Sequence, residues 1–297
     1  MKAVLLMLKT TGMTIKEIRV SKNMKQEEIY TNLISRNVLW QIENDKIRTN
    51  YEVLKEILKR LNVSFDEFLY IQNNFKSTPI QELEKRYNNI YTSIEIDILI
   101  NLKKDIETYL EYHPSNPLLT DLLKCLSAII AIEQEDNFAK ATEIVTPIWD
   151  RISKQNDWYW EDIQIMSHIF YMFEQETALN ICKELFNKLS NYRKFHNADR
   201  LEISTLLNIA TMLLDKNNLK EAEKYINKCI TLAEEKKYFI QWAYALGTKG
   251  ILKTLSAKTQ EGQQLMDQSI RILETINQPN LSKAIQADYN KYCMQNN

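Results

Sequence analysis

Between Lys25 and Asp45 the chain reads KQEEIYTNLISRNVLWQIEND, and its apolar positions trace two short helices joined by a tight turn. The first covers residues 26–32, with Ile29 and Leu33 inward. Ser35 then stands where a hydroxyl can accept an otherwise unpartnered backbone N–H and open the second helix. In that helix Leu39 and Ile42 fall three apart and face a core, leaving Arg36, Asn37 and Gln41 on the opposite side. Upstream, Thr14 and Glu17 have capping-box spacing with Met13 and Ile18 as the apolar staple, so a first helix is predicted to start near Ile15. Downstream, Tyr51–Leu61 forms a fourth helix on Leu54, Ile57, Leu58 and Leu61. Ser64 with Glu67, stapled by Val63 and Phe68, opens a fifth. Residues 72–79 break the periodicity. They read as a linker between a head, residues 1–71, and a second domain, residues 80–297.

The second domain is helix after helix, so an internal repeat is the first thing to look for. Four segments carry a small residue, an apolar or sulfur residue four later, and a third three beyond. They are Ala141/Val145/Ile148, Ala178/Cys182/Leu185, Ala222/Ile226/Cys229 and Gly262/Met266/Ser269, at spacings of 37, 44 and 40 residues. Each follows another amphipathic segment: 118–132, 160–173, 201–214 and 241–255. The pattern resembles degenerate tetratricopeptide hairpins, whose stacking makes a curved solenoid with an inner groove. An unrelated helical bundle is the alternative. With Ala210 and Gly247 at the small position of the first helix, Asn208, Thr211, Tyr244 and Thr248 fall on the inner face, as do Gln164, Ser167 and Tyr171 one unit earlier.

Composition narrows the class. Four Gly and five Pro in 297 residues lie far below the usual roughly 7% and 5%, which argues against sandwiches, barrels and glycine-rich nucleotide-binding loops. An all-α protein is expected. Net charge is −1, but residues 1–70 carry twelve Lys/Arg against nine Asp/Glu and the remainder 26 against 30. A slightly basic head on an acidic body permits DNA binding by the head. No apolar run approaches the roughly 18 residues of a membrane span. The patch at 3–8 is too short for a signal peptide; it either extends the first helix or lies upstream of a start at Met13. Cys125, Cys182, Cys229 and Cys293 are isolated and read as free thiols of a cytoplasmic protein.

A short helix exposing Arg, Asn and Gln suits the DNA major groove, because Asn and Gln pair bidentately with adenine and Arg with guanine. Residues 13–69 resemble a lambda-repressor-type (XRE) helix-turn-helix domain, through TIKEIR, KQEEI, SRNVLWQIEN and LKEILKRLNVSFDEFL. A helix two-to-three connection one residue short, with the ending LNVSFDEF, is similar to the Rgg/MutR group of peptide-responsive regulators. That resemblance implies DNA contacts from Gln26, Ser35, Arg36, Asn37 and Gln41, with Asn44, Lys46 and Arg48 near phosphate. It further implies an Arg19–Glu43 ion pair, a homodimer reading a pseudo-palindromic operator, and a short apolar signalling peptide bound by the repeats in a quorum-sensing role. Asn208 and its inner-face neighbours would hold the peptide backbone, an amide both donating and accepting. Some members carry an intersubunit disulfide where this chain has Tyr51, so that bond is not expected here. Asp45 stands where the family usually has Gly; it tolerates a left-handed backbone, yet places a carboxylate near phosphate. Trp40 either stacks on sugar-phosphate or packs against protein.

Enzymatic chemistry finds no foothold. His113, His168 and His196 are scattered without metal-ligand spacing, and neither a P-loop nor a nucleophile elbow is present. No metal or cofactor is expected. The rival reading is a protein-interaction scaffold or enzyme regulator whose head does not bind DNA; exposed Arg36, Asn37 and Gln41 argue against it.

Overall fold

Side-chain caps set the helices of the head. In the computed structural model, which describes residues 9–90, 95–195 and 198–293, five helices precede the linker: α1 Thr11–Ser21, α2 Gln26–Tyr30, α3 Arg36–Glu43, α4 Tyr51–Leu61 and α5 Phe65–Gln72. Ser35, Asn50 and Ser64 cap α3, α4 and α5, accepting from the amides of Val38, Val53 and Glu67 at 3.2, 2.9 and 3.1 Å. Ile15, Ile18, Ile29, Leu39, Ile42, Ile57, Leu58, Leu61 and Phe68 close one core. The patch at 3–8 and His196 lie outside the described residues.

The start of α1 departs from the sequence reading. The helix begins at Thr11, because Thr10 is the cap: its hydroxyl oxygen accepts from Met13 N at 3.2 Å. Thr14, read as a cap, is buried inside the helix and donates back to Thr10 O at 2.8 Å. The deciding partner is remote in sequence. Asp45 adopts φ 55° and turns its carboxylate onto the N-terminus of α1, accepting from Gly12 N at 3.1 Å and from the Thr10 hydroxyl. A carboxylate there complements the positive helix end. Gly12 is what allows the approach, since a Cβ on it would stand 1.9 Å from Ile42 O.

After α6 (Pro79–Asn88) come α7 Ile96–Tyr112, α8 Pro117–Glu135, α9 Phe138–Ile152, α10 Trp160–Ile169 with a 3-10 turn at Phe170–Met172, α11 Gln175–Leu189, α12 Ala198–Asp215, α13 Leu219–Glu235, α14 Phe239–Leu255, α15 Thr259–Thr275 and α16 Pro279–Cys293. Among the described residues there is no strand. Contacts divide the chain between Lys85 and Arg86, so α6 belongs to both units. In the second unit α8/α9, α10/α11, α12/α13 and α14/α15 are antiparallel pairs, and all four repeated triplets are buried at their seams. Small residues set the spacing: a Cβ on Gly262 would meet Gly250 O at 2.7 Å. The turns between helices use left-handed Asp136, Asn217, Lys237, Ala257 and Asn277 where glycine is usual, and no glycine has positive φ.

Candidate functional site

Two polar surfaces emerge, one on each unit. On the head, Leu39 and Ile42 anchor α3, and Arg36 and Asn37 stand exposed beside half-buried Gln41. The Ser35 oxygen is used in capping, which leaves its hydroxyl hydrogen free to donate. Lys46 and Arg48 are exposed in the loop that follows. Trp40 is 49% exposed on the same helix.

Gln26 and Asn44 are tied into the fold. The Gln26 amide donates to Glu43 Oε2 at 2.7 Å. Asn44 donates to Trp40 O at 2.7 Å and accepts from Lys16 Nζ at 3.3 Å, closing the end of α3. Arg19 grips Glu43 with both arms of its guanidinium, Nε–Oε1 at 2.5 Å and Nη2–Oε2 at 2.9 Å, while its Nη1 donates to Met24 O at 2.9 Å. One carboxylate with no exposed side-chain surface thus fixes α1, the start of α2 and the end of α3 together. The exposed Asp45 carboxylate is engaged by the N-terminus of α1, whose positive end offsets part of the charge beside the phosphate-facing loop.

On the repeat unit the seven inner-face candidates separate. Gln164, Tyr171, Asn208, Thr211 and Tyr244 are half-buried. Ser167 and Thr248 are buried, and both donate to the carbonyl one turn back (Gln164 O at 2.6 Å, Tyr244 O at 3.2 Å), which satisfies them within their own helices. Thr211 donates likewise to Leu207 O at 3.2 Å. The Tyr244 hydroxyl donates to Asp288 on α16 at 2.8 Å, and Tyr292 to Asp215 at 2.5 Å.

These acids were not legible in the sequence. Burial pushes the Asp288 carboxyl up, against the lowering effect of the Tyr244 hydrogen bond and of Lys291. Burial likewise raises Tyr244, with the Asp288 and Glu133 charges adding to it, and Tyr171 rises from burial and Glu133. Glu133 of α8 and Asp288 of α16 therefore act on the inner-face tyrosines Tyr171 and Tyr244, while Asp215 of α12 holds Tyr292 of α16.

Comparison with known proteins gives this geometry a class. Residues 81–287 match the family model of the C-terminal domain of the HTH-type transcriptional regulator Rgg, and residues 15–68 match a helix-turn-helix model. The chain belongs to the Rgg-type family of helix-turn-helix transcriptional regulators. Solved structures share its fold over nearly their whole length. A protein of Listeria monocytogenes EGD-e described as a transcriptional regulator aligns at TM-score 0.75 and 19% identity, covering 97% of this chain and 99% of that one. ComR from S. thermophilus, in complex with DNA and its signalling peptide ComS, aligns at 0.65 and 18%, covering 94% and 98%. Bacillus thuringiensis PlcR, in complex with the peptide PapR7 and DNA, aligns at 0.67 and 14%, covering 93% and 99%.

Proposed function

We propose that this protein is a cytoplasmic transcription regulator that reads double-stranded operator DNA with α3 and is switched by a short signalling peptide bound on the inner face of its repeats. The observation that carries the DNA reading is the free outward face of α3 beside a fully anchored inward one. Arg36, Asn37 and Gln41 present base-reading chemistry on a helix that Ser35 starts and Glu43 ends. Lys46 and Arg48 supply phosphate contacts. Gln26 and Asn44 act from behind, holding α3 in place. A single small head has little surface, so two heads on a two-fold axis reading a pseudo-palindrome follow from symmetry. No helix among the described residues is long and apolar enough to cross a membrane.

Arg36→Ala and Gln41→Ala are each expected to cost about 1–3 kcal/mol on the specific site and to relax base choice there. Lys46→Ala should weaken every sequence alike and flatten the salt dependence. Quantitative footprinting on specific and scrambled DNA decides it; unchanged affinities for Arg36→Ala would remove α3 as the reader.

The peptide reading rests on the family and on Gln164 and Asn208, half-buried amides that hold no side-chain hydrogen bond and so can clasp an extended backbone. For the peptide to act as a signal it must favour one state of the dimer, and coupling of this kind is typically about 1–3 kcal/mol. The test is a fluorescent synthetic apolar peptide of a few residues, titrated with and without operator. Asn208→Ala should weaken binding about tenfold, and operator should change peptide affinity; equal affinity in both conditions would leave no switch.

A further inference from the structure

The inner face already has an occupant. On α10 and its 3-10 turn, Gln164, His168 and Tyr171 are spaced four and three apart and share one side of the helix. The last turn of α6, Arg86 to Asn88, is seated there. Tyr87 is only 5% exposed, and its ring meets the His168 ring edge-on at 5.1 Å between centroids. Its hydroxyl is close enough to the Cys125 thiol of α8 for the two to perturb each other. Either side of Tyr87, Arg86 pairs with Asp105 of α7 at 2.7 Å, and Asn88 O accepts from Arg200 of α12 at 3.2 Å. Helices α7, α8, α10 and α12 thus all hold this one turn.

The seat is imperfect in a telling way. The Tyr87 hydroxyl and His168 Nδ1 are both shut off from solvent without a well-formed hydrogen bond, the hydroxyl having only the weakly bonding Cys125 thiol beside it. Buried polar groups are nearly always paired, because desolvating one without compensation is costly. A permanent structural joint at this position would place Phe or Leu over Cys125. We propose that the last turn of α6 is a displaceable latch: it covers the inner face between α8 and α12 and lifts off locally, without unfolding the repeats, to bare that face. On lifting, the Tyr87 hydroxyl and the imidazole both regain water, which offsets the loss of apolar contact. A peptide laid along Gln164 and Tyr171 then competes with the chain's own Tyr87 for the same side of α10. That competition rests on the peptide reading above; the opening itself does not.

Three buried cysteines report the opening without any ligand. Cys125 lies under the latch, while Cys182 on α11 and Cys229 on α13 are sealed in helix seams elsewhere in the same unit. Full-length protein is pulsed with iodoacetamide under native conditions and the sites resolved by peptide mass spectrometry. Local opening makes Cys125 react at least tenfold faster than Cys182 and Cys229 in the wild type. Tyr87→Ala should raise the Cys125 rate about another tenfold with the other two unchanged. Tyr87→Phe, which keeps the ring and removes the stranded hydroxyl, should leave it equal or slower. One common rate for all three thiols in the wild type, or a faster rate in Tyr87→Phe, overturns the latch. If Tyr87→Ala loses its fold, all three thiols react together and the wild-type comparison and Tyr87→Phe still decide. The labelling fails only if the latch is wrong, whereas the Asn208→Ala titration fails only if the peptide reading is wrong.

Discussion

Arg19→Ala is expected to cost the head about 3–5 kcal/mol, the range seen when one partner of a buried ion pair is removed. The reason lies in what is left behind. The Glu43 side chain has no solvent-exposed surface, and without the guanidinium its only remaining side-chain partner is the Gln26 amide. Met24 O loses its donor in the same stroke. An exposed pair such as Lys59–Glu56 would be worth a fraction of this. Calorimetry of the full chain should show the head's transition falling, by about 4–8 °C per kcal/mol for a domain of this size, while the repeat transition stays. A double variant, Arg19→Met with Glu43→Leu, should recover much of the loss, since neither buried charge then lacks a partner. A head transition displaced by no more than a surface mutant's would remove the pair from the account.

Gly12→Ala makes an equally sharp case because two principles oppose each other. Helix propensity alone favours the change by about 1 kcal/mol, alanine over glycine. Packing opposes it. The added methyl would stand 1.9 Å from Ile42 O and 2.7 Å from Asp45 Oδ1, the first of which is backbone. Relief requires α1 and the end of α3 to move apart, breaking the Asp45 cap on the way. Overpacking of this severity is expected to destabilise the head by about 2 kcal/mol net, the upper end of the overpacking range less the propensity gain, and to weaken operator binding, because the loop bearing Lys46 and Arg48 leaves with α3. An unchanged or raised melting temperature would mean that propensity had won.

Both effects hang on contacts between residues far apart in sequence, which marks where the sequence stopped being legible. Ser35 and Ser64 cap helices through neighbours three residues on, and local spacing betrays them; Asn50 caps α4 in the same way but is not marked by the sequence reading. The repeated triplets are equally visible, because one seam residue per turn must be small or apolar wherever helices cross. The start of α1 was hidden: Thr14 and Glu17 mimic a capping box, while the true cap, Thr10, owes its setting to Asp45, 35 positions away. On the inner face, periodicity says which side of a helix a residue takes, not what its hydroxyl does. Ser167 and Thr248 satisfy themselves one turn back and are buried, so they cannot be told from groove residues by position. Asp215 and Asp288 carry no mark in the pattern, because it is α16 that sets Tyr292 against Asp215 and Asp288 against Tyr244.

The glycine-free corners of the repeat unit bear on how it folds. Asp136, Asn217, Lys237, Ala257 and Asn277 hold left-handed angles with side chains attached. Each such residue explores less conformational space in the unfolded chain than glycine would, so less entropy is lost when its corner forms. Helices joined by these corners touch mainly their immediate neighbours, the low-contact-order arrangement in which loop closure is cheap and folding fast. The chain should therefore condense outward from one hairpin, with α14 and α15 the natural nucleus, since Gly250 and Gly262 bring those two helices into backbone contact before any other helix need arrive.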